Sequence, residues 1–286
     1  MNALPKRWIM FACALLVLGC GPNEEEDANQ MTSEPAFTRI KVDGYDRVRD
    51  ARFSPDGERL VLVAESGQDD VVVLTTDLSG GAPTVLVDEG LSYLSSAVWS
   101  GDGQQIYYSG DGGIWRIAVG GGEPENVVDA FAVLSMDVAR DGSRIAWSEN
   151  GPNKVNVAPL DTIPATNDTI TYGPAGFNPR FSPDSSRIIF TQYFEDDAVY
   201  KLSPADLSGE PEDVDGLADY LSNAAWQSDD VLLMFDDNKI VQRFLTTGEV
   251  VELGEGFAGT GLDVSADGSQ YLHGSNGQPS IKLYPL

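Results

Sequence analysis

The chain has 286 residues, 42% of them hydrophobic, enough to bury a large core in one or two domains. Its 45 acidic residues against 18 basic ones give a net charge of −27, which excludes nucleic acid and anionic lipid headgroups as electrostatic partners. Two cysteines and a single histidine exclude a disulfide framework and a multi-histidine metal centre.

Lys6 and Arg7 precede an apolar stretch from Trp8 to Leu18, too short for a bilayer span of roughly 20 residues. Its end, Val17-Leu18-Gly19-Cys20, resembles a bacterial lipobox, which implies lipidation (palmitate among the acyl chains) on Cys20 and cleavage before it. Residues 1–19 are then a lipoprotein signal peptide. Their removal takes two basic residues and no acid, moving the charge from −27 to −29. Cys13 leaves with them, so the mature chain holds one cysteine and relies on its core rather than on a disulfide. Gly21 lacks the aspartate that often marks inner-membrane retention, so the resemblance implies the outer membrane facing the periplasm, with surface exposure as the alternative. Residues 20–36, with Glu24-Glu25-Glu26-Asp27, form an acidic tether.

Residues 37–286 are built from six repeats of about 42 residues, a period that indicates a propeller or a solenoid. The turn aspartates Asp56, Asp102 and Asp141 return as Asp184, Asp229 and Asp267, so the last three repeats copy the first three. Tyr93-Leu94-Ser95-Ser96-Ala97-Val98-Trp99, for example, returns as Tyr220-Leu221-Ser222-Asn223-Ala224-Ala225-Trp226. Before each turn, apolar and mostly polar positions alternate, as in a strand with one packed face. Asp and Gly suit the turn itself. Runs such as Leu60-Val61-Leu62-Val63 and Ile188-Ile189-Phe190 follow, and their continuous apolar character predicts burial on both faces. A third and a fourth strand complete each unit. The fold class is all-β: a six-bladed β-propeller of four-stranded antiparallel blades. The last repeat stops at Pro285-Leu286 one strand short, so the segment from Phe37 to Val42 is expected to complete that blade and close the ring.

The repeat Phe53-Ser54-Pro55-Asp56-Gly57, echoed by Phe181-Ser182-Pro183-Asp184-Ser185, resembles the propeller repeat of the TolB family of periplasmic proteins. The resemblance covers residues 37–286 and implies a propeller whose mouth binds another envelope protein. The family's N-terminal α/β domain has no counterpart here, and a lipid anchor takes its place.

His273 occupies the place six after the turn, where other repeats put Leu62, Tyr108, Trp147 and Phe190, and is expected in the core. No Gly-x-Ser-x-Gly elbow supplies a nucleophile, so no catalytic residue is assigned. The runs Asp69-Asp70, Asp196-Asp197, Asp229-Asp230 and Asp236-Asp237-Asn238 lack EF-hand spacing and are expected to be solvated turn acids. No cofactor is expected, with calcium the alternative. Four before the turn stand Arg52, Val98 and Asp137, then Arg180, Ala225 and Asp263. Ring order sets Asp137 beside Arg180 and Asp263 beside Arg52, so two opposed ion pairs are expected near the axis. Asp50, Asn178 and Asn223 stand one pleat away, and the whole set is the best polar site in the chain. The aromatics Tyr45, Tyr93, Phe131, Phe177, Tyr220 and Phe257 precede these strands. They would either pack between blades or ring a mouth, where Tyr93 and Tyr220 would contact a ligand.

The resulting expectation is a monomeric, non-enzymatic envelope lipoprotein that binds a protein or peptide. Its membrane contact is the lipid anchor. Two alternatives stay open: a ligand- or calcium-dependent, lactonase-like hydrolase using the axial ring, and a passive structural lipoprotein.

Overall fold

The computed structural model describes residues 36–286 except 68–69, 80, 82, 89–95, 152–153, 162–168, 174, 195–196, 219–222, 237, 256–260 and 275–279. The expected signal peptide, Cys20 and all of the expected tether but residue 36 therefore lie outside the described residues. The described residues contain six four-stranded antiparallel sheets and no helix. Each sheet is one repeat, and the chain forms a six-bladed β-propeller.

The innermost strands of blades one to six are Arg47–Phe53, Ala97–Trp99, Val133–Val138, Gly176–Phe181, Ala224–Ser228 and Leu262–Val264. The second strands are the most deeply buried. Leu60 to Ala64 have no exposed surface, and neither do Ile188 and Ile189. Such strands need apolar side chains on both faces because each face meets a neighbouring blade. Fully burying each aliphatic side chain contributes about 1.5–3 kcal/mol, so the second strands anchor the ring.

Blade six closes as the sequence predicts. Ser280–Pro285 pairs with Thr38–Lys41, with Ile40 opposite Ile281 and Thr38 opposite Leu283. Ile40 is buried, Arg39 donates to Ser280 Oγ at 2.9 Å, and Phe37 packs against Tyr284 with ring centres 5.4 Å apart. His273 is buried here, stacked on Tyr284 at 5.3 Å, with Nδ1 2.9 Å from the Gly274 carbonyl.

The turn between first and second strands is one device used repeatedly. In blades one, two, four and six a serine two before the turn aspartate donates to its Oδ1: Ser54, Ser100, Ser182 and Ser265, at 2.5–2.6 Å. The aspartate also accepts a backbone N–H two residues on, as Asp56 does from Glu58 at 3.0 Å. The next position is left-handed, at φ 73° for Gly57 and 71° for Gly268. Glycine carries no Cβ penalty there, whereas Ser185 takes φ 61° in blade four. Its hydroxyl accepts the Asp141 N–H at 3.3 Å, which ties blade four to blade three.

Candidate functional site: the axial cavity

A cavity of about 320 Å³ lies on the axis at the end where the innermost strands run into these turns. All six blades line it. Arg52, Val98, Asp137, Arg180, Ala225 and Asp263 lie deepest along their strands, and Phe53, Trp99, Val138, Phe181, Trp226 and Val264 follow. Pro55, Gly101, Arg140 and Ala266, all in or beside the turns, form its rim. Arg140 Nη1 donates to the Ala266 carbonyl at 3.4 Å, a contact between opposite blades that narrows the mouth. A Cβ on Gly101 would stand 1.9 Å from the Arg140 carbonyl oxygen, so only glycine lets that backbone lean over blade two.

The sequence brings the right four charges to one cavity but pairs them wrongly. Neither Arg52 with Asp263 nor Arg180 with Asp137 forms an ion pair. Each aspartate accepts a backbone N–H from the next blade instead: Asp263 Oδ2 from Phe53 and Asp137 Oδ2 from Phe181, both at 2.8 Å. The physical reason is that an innermost strand is a sheet edge. Its axis-facing N–H groups lack a strand partner, and a buried donor left unpaired costs about 1–3 kcal/mol. The carboxylates satisfy that need first. The arginines repeat the pattern on the acceptor side. Arg52 Nη1 donates to the Ala51 and Leu262 carbonyls at 3.2 and 3.1 Å. Arg180 Nη1 donates to those of Pro179 and Met136 at 2.9 and 3.2 Å.

Here the two-fold symmetry ends. Arg52 Nη2 has a counter-ion in Asp50, 3.2 Å away on its own strand. Asp50 is itself buried and accepts from Ser96 Oγ at 3.0 Å. Position 178 in the second half holds asparagine, at φ 54° in a bulged stretch, so Arg180 has no matching acid. Arg180 is 4% exposed and no described carboxylate reaches its guanidinium within 4.0 Å, while Nε lacks a hydrogen-bond partner in both arginines. Asp50, Asn178 and Asn223 stay outside the cavity lining. Asp50 instead backs Arg52 from behind.

Burial pushes the Asp137 carboxyl up to about 7, with the Asp263 charge adding to the rise against the Phe181 N–H and Arg52. Asp263 rises to about 6 for the same leading reason, opposed by Arg52 and the Phe53 N–H. Both cavity aspartates therefore change charge near neutral pH.

Among the candidate aromatics, Tyr45 is half-buried against the core, Phe177 is half-buried and Phe131 is 75% exposed. Tyr93, Tyr220 and Phe257 lie outside the described residues. Among the described residues no three histidine, cysteine or acidic side chains converge closely enough to hold a metal ion. Two cation–π contacts escaped the sequence analysis: Arg59 stacks on Trp99 at 4.7 Å and Arg187 on Trp226 at 5.1 Å. Their signal was available, since both pairs recur between the halves of the repeat.

No family model and no curated protein matches the sequence. Solved structures do match, and they show the fold. A hydrazine synthase chain of Kuenenia stuttgartiensis aligns with a TM-score of 0.62 at 13% identity, over 84% of this chain and 83% of that one. An auxiliary nutrient binding protein from Bacteroides thetaiotaomicron gives 0.62 at 10%, over 84% and 69%. A chain of a nidogen/laminin complex gives 0.58 at 13%, over 76% and 84%.

Proposed function

We propose that this chain is a non-enzymatic binding module of the bacterial cell envelope, tethered by a lipid on Cys20, that takes a protein or peptide through the mouth of its axial cavity. The observation that carries the reading is the cavity itself. It is concave, open on the turn face, and lined by a few charged groups held in fixed positions by backbone hydrogen bonds. Sites that orient a ligand have this character. The repeat's resemblance to the TolB propeller supports the same use of a mouth, and binding and complex-forming proteins stand among the structural neighbours.

A photo-reactive amino acid placed at Ala266 on the rim tests this in envelope preparations. The expected result is one discrete cross-linked adduct from position 266 and none from Val250, on the outermost strand of blade five. Equal adducts at both positions, or none at 266, would remove the reading. Labelled palmitate incorporated by the wild type and lost in Cys20→Ser checks the anchor separately.

A further inference from the structure

We propose that Arg180 is the anchor for a carboxylate ligand in the axial cavity, bound where the second half of the ring omits the counter-ion that the first half supplies. The proposal rests on the binding-module reading above and names the chemistry the cavity recognises.

Buried charges are normally paired, and a buried arginine without a partner bears a desolvation cost. The first half shows what neutralises this guanidinium: a carboxylate on Nη2, where Asp50 sits 3.2 Å from Arg52. Arg180 repeats the carbonyl contacts of Nη1 but not that carboxylate, while facing the cavity. An incoming carboxylate would form N–H···O bonds to the guanidinium and take the place of the missing acid.

The other charges in the cavity select a monoanion. From the six innermost strands the charged lining is Arg52, Asp137, Arg180 and Asp263, with Arg140 at the rim. Blades two and five contribute only Val98 and Ala225 at that depth. Arg52 is neutralised by Asp50 behind it, so one guanidinium is in excess once Asp137 and Asp263 are protonated, and when ionised those two acids repel an anion, a more highly charged one most. Protonation of these two acids on going from pH 8 to 5.5 relieves the repulsion, so affinity should rise as pH falls. A carboxylate of the right size comes from two sources, a small free acid or the C-terminus of a peptide. The cavity's volume of about 320 Å³ accommodates either at its deep end.

Calorimetric titration of the full-length chain with propionate, with trialanine and with trialanine amide tests the proposal. Trialanine should bind at pH 5.5, the amide should bind about tenfold or more weakly, and Arg180→Gln should lose the difference. Asp137→Asn keeps an acceptor for the Phe181 N–H and removes a competing charge. It should raise affinity at pH 8 by about tenfold and flatten the pH dependence, which keeps the test valid should Arg180→Gln fail to fold. Binding of propionate but neither peptide, dependent on Arg180, supports the carboxylate site and identifies a free acid, and it is the peptide reading that then falls. Acid and amide peptides binding equally would overturn the Arg180 proposal while leaving a peptide-binding module. No binding of any probe to wild type or Asp137→Asn would overturn it outright.

Discussion

The two halves of the ring place an arginine at the same depth with equivalent carbonyl partners, yet among the described residues only that of the first half meets an acid. Arg52 has its counter-ion, although its Nε lacks a partner as that of Arg180 does: Asp50 takes Nη2, Ser96 holds Asp50, and a Cβ at Gly261 would stand 3.0 Å from Asp50 Oδ1. Among the described residues no carboxylate does the same for Arg180. Blade geometry is thus repeated for stability, and the departures from repetition are where a ligand can be recognised. A second asymmetry follows the same line. Trp226 Nε1 donates to the Arg180 carbonyl at 3.1 Å, while Nε1 of Trp99, its counterpart, has no partner.

Making the first half resemble the second should have the largest effect. Asp50→Asn leaves Arg52 without its counter-ion, and breaking a buried pair costs about 3–5 kcal/mol. Urea unfolding should show a loss at the lower end of that range, because Arg52 keeps two carbonyl contacts. A second exchange puts another second-half residue into the first half. Gly101 corresponds to Ser228 in the second half, but a Cβ at 101 meets the Arg140 carbonyl at 1.9 Å. Gly101→Ser should therefore destabilise the protein by about 2–3 kcal/mol through backbone displacement, visible as a lower thermal midpoint.

The fold was legible because the repeat states it six times and the turn aspartates give the alignment. The missing fourth strand could be assigned to Thr38–Lys41 since an open edge in a ring must be filled. The membership of the axial site was legible too, through the place four before each turn. Its pairing was not. Charge adjacency suggested Arg–Asp bridges, but the backbone donors of Phe53 and Phe181 compete for the same carboxylates, and a sequence does not display unpaired N–H groups. Asp50 was visible as a polar neighbour, whereas its pairing with Arg52 depends on the pleat that sets both on one side of the strand. The roles of Tyr93 and Tyr220 fall on residues outside the described part of the chain.

Acid–base behaviour separates the cavity from the turns. Asp137 and Asp263 are raised to about 7 and 6, so between pH 4 and 7 the folded state binds more protons than the unfolded chain. Their contribution to stability falls as pH rises through that window and levels off above it. Asp184 and Asp267 are lowered to about 2 by serine and backbone hydrogen bonds, so they contribute above pH 4 and that contribution is lost as pH falls towards 2. Denaturation midpoints across pH 5–8 should decline in the wild type and decline less in Asp137→Asn. A smaller effect should be equal in the two halves. Arg59→Gln and Arg187→Gln each remove one arginine–tryptophan stack, at about 0.5–1 kcal/mol in chemical denaturation.

That Arg180 and Asp137 do not pair in the second half is tested most directly by ¹³C NMR titration of the aspartate carboxyls in the wild type and in Arg180→Gln. With Asp137 bonded to the Phe181 amide rather than paired with Arg180, it should titrate near 7 and move little when Arg180 is replaced. An Asp137 that titrates below 4 in the wild type and rises sharply in Arg180→Gln would show a closed Arg180–Asp137 ion pair, and would contradict the account.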